Sequence, residues 1–128
     1  MTIRMRAPSW TVVLALVGGF TSASAQGAPN ADPAKRGRSL WNTRGCTACH
    51  GIGKKATGPD LAGITKRRSR DWLMRFMTNT DQMLANDPAA IALLKGWQGV
   101  RMPQAKVSEQ DVEAILAYIE ATESRPKQ

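Results

Sequence analysis

Residues 45–51 read Gly45-Cys46-Thr47-Ala48-Cys49-His50-Gly51. Two thiols three positions apart, followed at once by an imidazole, are compatible with three chemistries. A thioredoxin-like redox pair needs a strand–helix setting, and no window of this chain alternates apolar and polar residues as a strand does. A structural zinc site needs four ligands. Cys46, Cys49 and His50 are the only cysteines and histidine present, so a fourth ligand would have to be a carboxylate or come from another chain. The third chemistry is covalent attachment of haem. Thiols at this spacing can add to two vinyl groups on neighbouring pyrroles, and the adjacent imidazole then reaches the iron from one face. The spacing favours this third reading.

Working outward, the totals set the scale. The chain has 128 residues and a net charge of +8, from 18 basic and 10 acidic residues. It is 42% hydrophobic and 22% charged. This is ordinary for one small folded domain, too short for a large multi-element enzyme and too apolar for a disordered chain.

Residues 1–25 have a composition of their own. Arg4 and Arg6 make a basic start, Thr11 to Phe20 is uncharged and apolar, and Ala23-Ser24-Ala25 supplies small residues in the A-x-A pattern. This is the layout of a secretory signal peptide cleaved after Ala25. The apolar run falls short of the ~20 residues that a spanning helix needs, so no stable membrane span is expected after cleavage. No cysteine stands at the cleavage point for lipid attachment. Removing Arg4 and Arg6 takes the charge from +8 to +6. An exported, periplasmic setting is oxidising, and two neighbouring thiols there would form a disulfide unless otherwise consumed; thioether bonds to haem consume them.

The remainder divides into a loose leader at 26–31, a domain at 32–123 and a disordered tail at 124–128. Asp32-Pro33 starts a helix running to about Thr43, with an N-cap acid and Pro at the first helical position. Gly45 to Gly63 holds five glycines and Pro59 and reads mostly as loop. Ser69 starts a second helix whose Trp72, Leu73, Phe76 and Met77 share one face. Asp87-Pro88 repeats the start signal, and residues 81–95 read as an extra short helix. Gly96 to Val107 is a loop. Ser108 and Asp111 form a capping-box variant ahead of a last helix with Val112, Ile115, Leu116 and Ile119 on one face. The fold class is therefore all-α, with short helices and long loops. Such loops are acceptable in a compact domain only if they wrap something.

Iron bound by one histidine takes a sixth ligand or keeps an open site. With His50 the sole histidine, a second imidazole from the chain is excluded. Met74 and Met77 read as core filler in the second helix, and Met83 sits in a polar stretch. Met102 lies in a loop stiffened by Pro103, just before the capped last helix, and is the expected sixth ligand.

Gly45-Cys46-x-x-Cys49-His50-Gly51, Gly58-Pro59-Asp60-Leu61-Ala62-Gly63 and Met102-Pro103 before a C-terminal helix together resemble the bacterial class I cytochromes c. Gly37 and Trp41 look like the family's glycine and aromatic that pack the first helix on the last. The resemblance covers nearly all of 32–122. It implies a small all-α cytochrome c fold around one covalently attached haem c, with His50 and Met102 as axial ligands. It also implies that the Pro59 carbonyl accepts the His50 Nδ1–H. Trp41, Leu61, Trp72, Phe76, Trp97, Leu116 and Ile119 are expected to line or back the haem pocket. The separation of Pro59 from Met102 departs from the best-known members.

The run Lys66-Arg67-Arg68-Ser69-Arg70 could by itself suggest nucleic acid binding, which export argues against. It reads either as a solvated helix start or as a functional cluster. In the second case an arginine such as Arg67, or the Trp97 indole N–H, pairs with a haem propionate. Lys54, Lys55, Lys66 and Lys106 are a further candidate, a positive rim for redox partners with acidic docking surfaces. The expected function is a monomeric, exported carrier of single electrons in a respiratory chain, with no enzymatic activity of its own. The alternatives are a haem subunit held in a larger oxidoreductase, or a haem peroxidase or gas-binding protein if Met102 does not ligate.

Overall fold

The computed structural model describes residues 32–124. The expected signal peptide, the leader and tail residues 125–128 lie outside the described residues. Six helices follow in order: α1 (Pro33–Thr43), α2 (Ile64–Arg67), α3 (Arg70–Thr78), α4 (Thr80–Asn86), α5 (Pro88–Gly96) and α6 (Glu109–Glu123). A single 3-10 turn, Cys46–Ala48, carries the first part of the Cys-Thr-Ala-Cys-His motif. No strand occurs among the described residues, and the domain is all-α.

The helix starts follow from side chains that satisfy otherwise orphaned N–H groups. The Asp32 carboxylate accepts from the Ala34 N–H at 3.0 Å, the Ser69 hydroxyl from Trp72 at 3.2 Å and the Asp87 carboxylate from Ala90 at 2.9 Å. At α6 the box is reciprocal: Ser108 accepts from the Asp111 N–H at 3.2 Å, and Asp111 accepts from the Ser108 N–H at 3.1 Å.

One expectation needs correcting. Residues 81–95 are not a single extra helix but parts of two, α4 and α5, which part at Asp87. Pro88 has no N–H to continue the α4 ladder and biases the preceding residue toward extended backbone. Asp87 accordingly has φ −91° and ψ 122°.

The terminal helices supply the main packing, with α1 lying across α6. Gly37 makes the close approach feasible. A β-carbon there would stand 1.8 Å from the Ala114 carbonyl oxygen and 2.8 Å from Tyr118 Cβ. One turn on, Trp41 is buried and meets Tyr118 in a tilted arrangement, ring centroids 5.9 Å apart. The buried face of α6, Val112, Ile115, Leu116 and Ile119, joins Trp41, Leu73 and Val107 in one core. Ion pairs flank that core: Arg36 to Asp111 at 2.5 Å, and Arg70 reaching both Glu113 at 2.5 Å and Glu120 at 3.0 Å.

Two outcomes follow for stability. Gly37→Ala drives a methyl group into backbone that cannot retreat. It should cost about 3 kcal/mol, the upper end for an overpacked site, read as a lower urea midpoint of the purified protein. Asp111 is held below its ordinary value of 3.8 first by the Ser108 backbone N–H, then by the Ser108 hydroxyl and Arg36. A depressed folded-state pKa stabilises the fold above the unfolded value, and this is lost as pH falls through the folded one. Melting temperature should therefore fall as pH drops below about 3.8. Asp111→Asn should start from a lower melting temperature at neutral pH and show a shallower acid limb.

Candidate haem-attachment site

The motif residues sit on the wall of one large cavity of about 680 Å³, within the ~300–1,000 Å³ range of small-molecule and cofactor sites. Cys46, Cys49 and His50 line it, as do Met102, Pro59, Trp97 and Arg67. The seven residues expected to form the pocket, Trp41, Leu61, Trp72, Phe76, Trp97, Leu116 and Ile119, all lie along it. Met77 lies there too, so it is more than core filler.

The site is built on the turn that α1 leads into. Gly45, with φ +75°, reverses the chain at the end of α1, and the 3-10 turn then carries Cys46. The two cysteines are unbridged, Cys46 half-buried and Cys49 exposed. Burial pushes the Cys46 thiol above its ordinary value, and a backbone hydrogen bond partly offsets this. A redox nucleophile needs a lowered thiol pKa, which Cys46 lacks, and the thioredoxin-like reading also finds no strand among the described residues.

His50 is held on one nitrogen. Its Nδ1 lies 2.9 Å from the Pro59 carbonyl oxygen. A carbonyl only accepts, so Nδ1 carries the proton, and in the neutral ring the Nε2 lone pair is the one left for a metal. The segment that delivers Pro59 is tied on both sides of the ring: the Gly58 N–H donates to the Cys49 carbonyl at 2.6 Å, and the Leu61 N–H to the Gly51 carbonyl at 2.9 Å. Gly58 is needed for this fit, since a β-carbon there would stand 2.8 Å from His50 Cε1.

The loop bearing Met102 is secured by its neighbours. Gln104 Nε2 donates to the Thr78 carbonyl at the end of α3 at 2.6 Å, and Arg101 pairs with Asp81 of α4 at 2.9 Å. Trp72 donates its indole N–H to Asp87 at 3.1 Å, stacks on Phe76 at 4.9 Å and lies under the Arg68 guanidinium. Asp87 thus caps α5 and fixes a cavity wall at once.

Of Lys54, Lys55, Lys66 and Lys106, only Lys106 lines the cavity; the rest of its positive lining is Arg44, Arg67, Arg68 and Arg101. No acidic residue lines it among the described residues. Arg67 also has a task the sequence did not reveal, for its terminal nitrogens donate to the Asp60 carbonyl, at 2.9 Å, and to the Ala62 carbonyl. Gly58, Asp60, Gln104 and Glu123 were likewise missed as supports. Only Asp60 carried a local signal, an acid after proline in a turn.

This arrangement fits haem. Two thiols and an imidazole with an available Nε2 stand at one apolar cavity, a thioether lines the same cavity, and its charged lining is wholly cationic, as carboxylate side arms require.

Comparison with known proteins agrees. The family model described as cytochrome c matches residues 34–123. A cytochrome c from Rhodothermus marinus has a similar structure, with a TM-score of 0.66 and 32% identity, covering 83% of this chain and 90% of that one. An engineered cytochrome c from the same organism gives 0.66 and 30%, covering 84% and 92%. Cytochrome c oxidase subunit 2 of Alkalihalophilus pseudofirmus is 30% identical over 95 residues. Those residues are 71% of this chain but 26% of that protein, so the chain spans about a quarter of its length.

Proposed function

Because the chain belongs to the cytochrome c family, whose members are haem-bearing electron carriers, we propose that it is exported and passes single electrons between respiratory-chain proteins. When bound, haem supplies the one-electron exchange between ferric and ferrous iron. Cys46 and Cys49 would hold one haem c through thioethers. His50 would ligate through Nε2, and Met102 would ligate from the loop that Gln104 and Arg101 secure. A soft thioether favours reduced iron more than a second imidazole does. Pro59 orients the histidine and raises its basicity. The apolar lining excludes water, and Trp97, with Arg67 and Arg68 of the same lining, is suited to pair with the propionates. The observation that carries this reading is the His50–Pro59 bond, which leaves Nε2 to a metal at a cavity shared with both thiols and Met102.

Export is supported by the 1–25 segment, with its basic start, apolar run and A-x-A site. No helix among the described residues is long and apolar enough to cross a membrane. We propose a monomer that meets its partners transiently. A second reading, a haem subunit bound within a larger oxidoreductase, is favoured by the similarity to part of an oxidase subunit. Gel filtration of a native extract separates the two.

The ligand assignment predicts a spectrum. The ferric wild type should show the weak far-red band of histidine–methionine haem. Met102→Ala should abolish it and let the reduced protein bind carbon monoxide rapidly, whereas Met77→Leu should leave it intact. An unchanged band in Met102→Ala rejects Met102 as ligand. A wild type without the band and open to carbon monoxide points instead to a peroxidase or gas-binding protein. The cationic lining predicts that reduction by an acidic redox protein slows as salt rises from ~0.01 M to ~0.15 M, while the Debye length shrinks from ~30 to ~8 Å. A flat salt profile removes electrostatic steering.

A further inference from the structure

Pro59 does not hold its place by itself. The next residue, Asp60, turns one carboxylate oxygen to two backbone N–H groups on different segments. Gly53 donates to it at 2.8 Å and Ala62 at 2.9 Å. Gly53 lies just past the histidine, so this carboxylate ties the segment carrying His50 to the one carrying Pro59. Arg67, from the last turn of α2, grips the same segment from its other side through the carbonyls of Asp60 and Ala62. The adjoining Gly63 N–H donates to the Glu123 carboxylate at the end of α6. The Ala62 and Gly53 N–H groups and the nearby Arg67 charge keep Asp60 below the ordinary carboxylate value, so it is ionised at neutral pH.

We infer that Asp60 and Arg67 are positioning residues for the axial histidine: together they clamp the Pro59 carbonyl against His50 Nδ1 and so set the donor strength of the ring. The inference rests on the proposed ligation by His50. Neither residue touches the imidazole. Asp60 fixes where the carbonyl lies relative to the histidine segment, and Arg67 keeps the loop from lifting. A firmer Nδ1–H···O bond makes the ring more basic and favours ferric iron, while a looser one favours ferrous iron. Asp60→Asn keeps an oxygen acceptor and removes only the charge. Asp60→Ala removes both.

The test uses reduced, haem-loaded protein labelled with ¹⁵N-histidine. The wild type comes first: strongly upfield ring protons of His50 identify an imidazole on haem iron. If they are absent, the ligand reading has failed and the clamp falls with it. If they are present, the variants decide. Asp60→Ala should exchange the His50 Nδ1 proton about tenfold faster, as loss of a hydrogen bond to a charged group implies, and its midpoint potential should rise above that of Asp60→Asn. Asp60→Asn should exchange like wild type. Arg67→Met also removes a cation from the cavity wall, which lowers the potential by itself, so it is read by exchange alone. It should exchange faster than wild type but less so than Asp60→Ala, and it carries the test if Asp60→Ala does not fold. The proposal is overturned if Asp60→Ala loses thermal stability while its exchange rate and potential match those of Asp60→Asn, or, in its stead, if Arg67→Met loses thermal stability while its exchange rate matches that of the wild type.

Discussion

The approach of α1 to α6 at Gly37 governs the rest of the molecule. A short chain that encloses a cavity of about 680 Å³ has little apolar surface to spare for a conventional core. At this crossing it packs one helix backbone directly against another, with no side chain of residue 37 between them. Trp41, Leu116 and Ile119 belong to both structures, forming the core behind the crossing and lining the cavity in front of it. Shifting α1 outward would therefore displace the cavity wall as well as expose the core. The Arg36–Asp111 pair reinforces the same junction from its edge.

The excess of positive charge has two separate uses. Arg36 and Arg70 bind carboxylates of α6, Arg101 binds one on α4, and Arg67 binds backbone carbonyls. These arginines tie elements or segments that are distant in sequence. Arg44, Arg68 and Lys106 line the cavity in company with Arg67 and Arg101. The planar, multiply donating guanidinium suits both uses better than an ammonium group does.

What the sequence disclosed follows the range of the interactions concerned. Helix starts at Asp32, Ser69, Asp87 and Ser108 were legible because a cap acts within three residues. The face of α6 was legible from its period, and the Cys46, Cys49 and His50 cluster from spacing dictated by the chemistry of attachment. The Pro59 contact with His50 came only through resemblance, since nothing local says which carbonyl an imidazole will meet. Asp60 to Gly53, Gln104 to Thr78 and Glu123 to Gly63 depend on loops brought together by tertiary folding. The break between α4 and α5 was the reverse case. Pro88 gave a sound signal at that point, but residues 80–86 are polar enough that no apolar stripe announced a helix before it.

The Gly63–Glu123 contact gives the order of assembly a direction. Its partners lie 60 residues apart, and those of the Arg36–Asp111 pair 75 apart. The attachment motif, by contrast, occupies a handful of consecutive positions. Closing such distant pairs carries the larger entropic cost and the slower rate. The thiols and imidazole are thus complete as soon as that short segment has been synthesised, whereas the enclosure around them needs the last turn of the final helix. A chain shortened by that turn would keep every reactive atom of the motif and lose the anchor that the segment carrying Pro59 and Gly63 finds on α6.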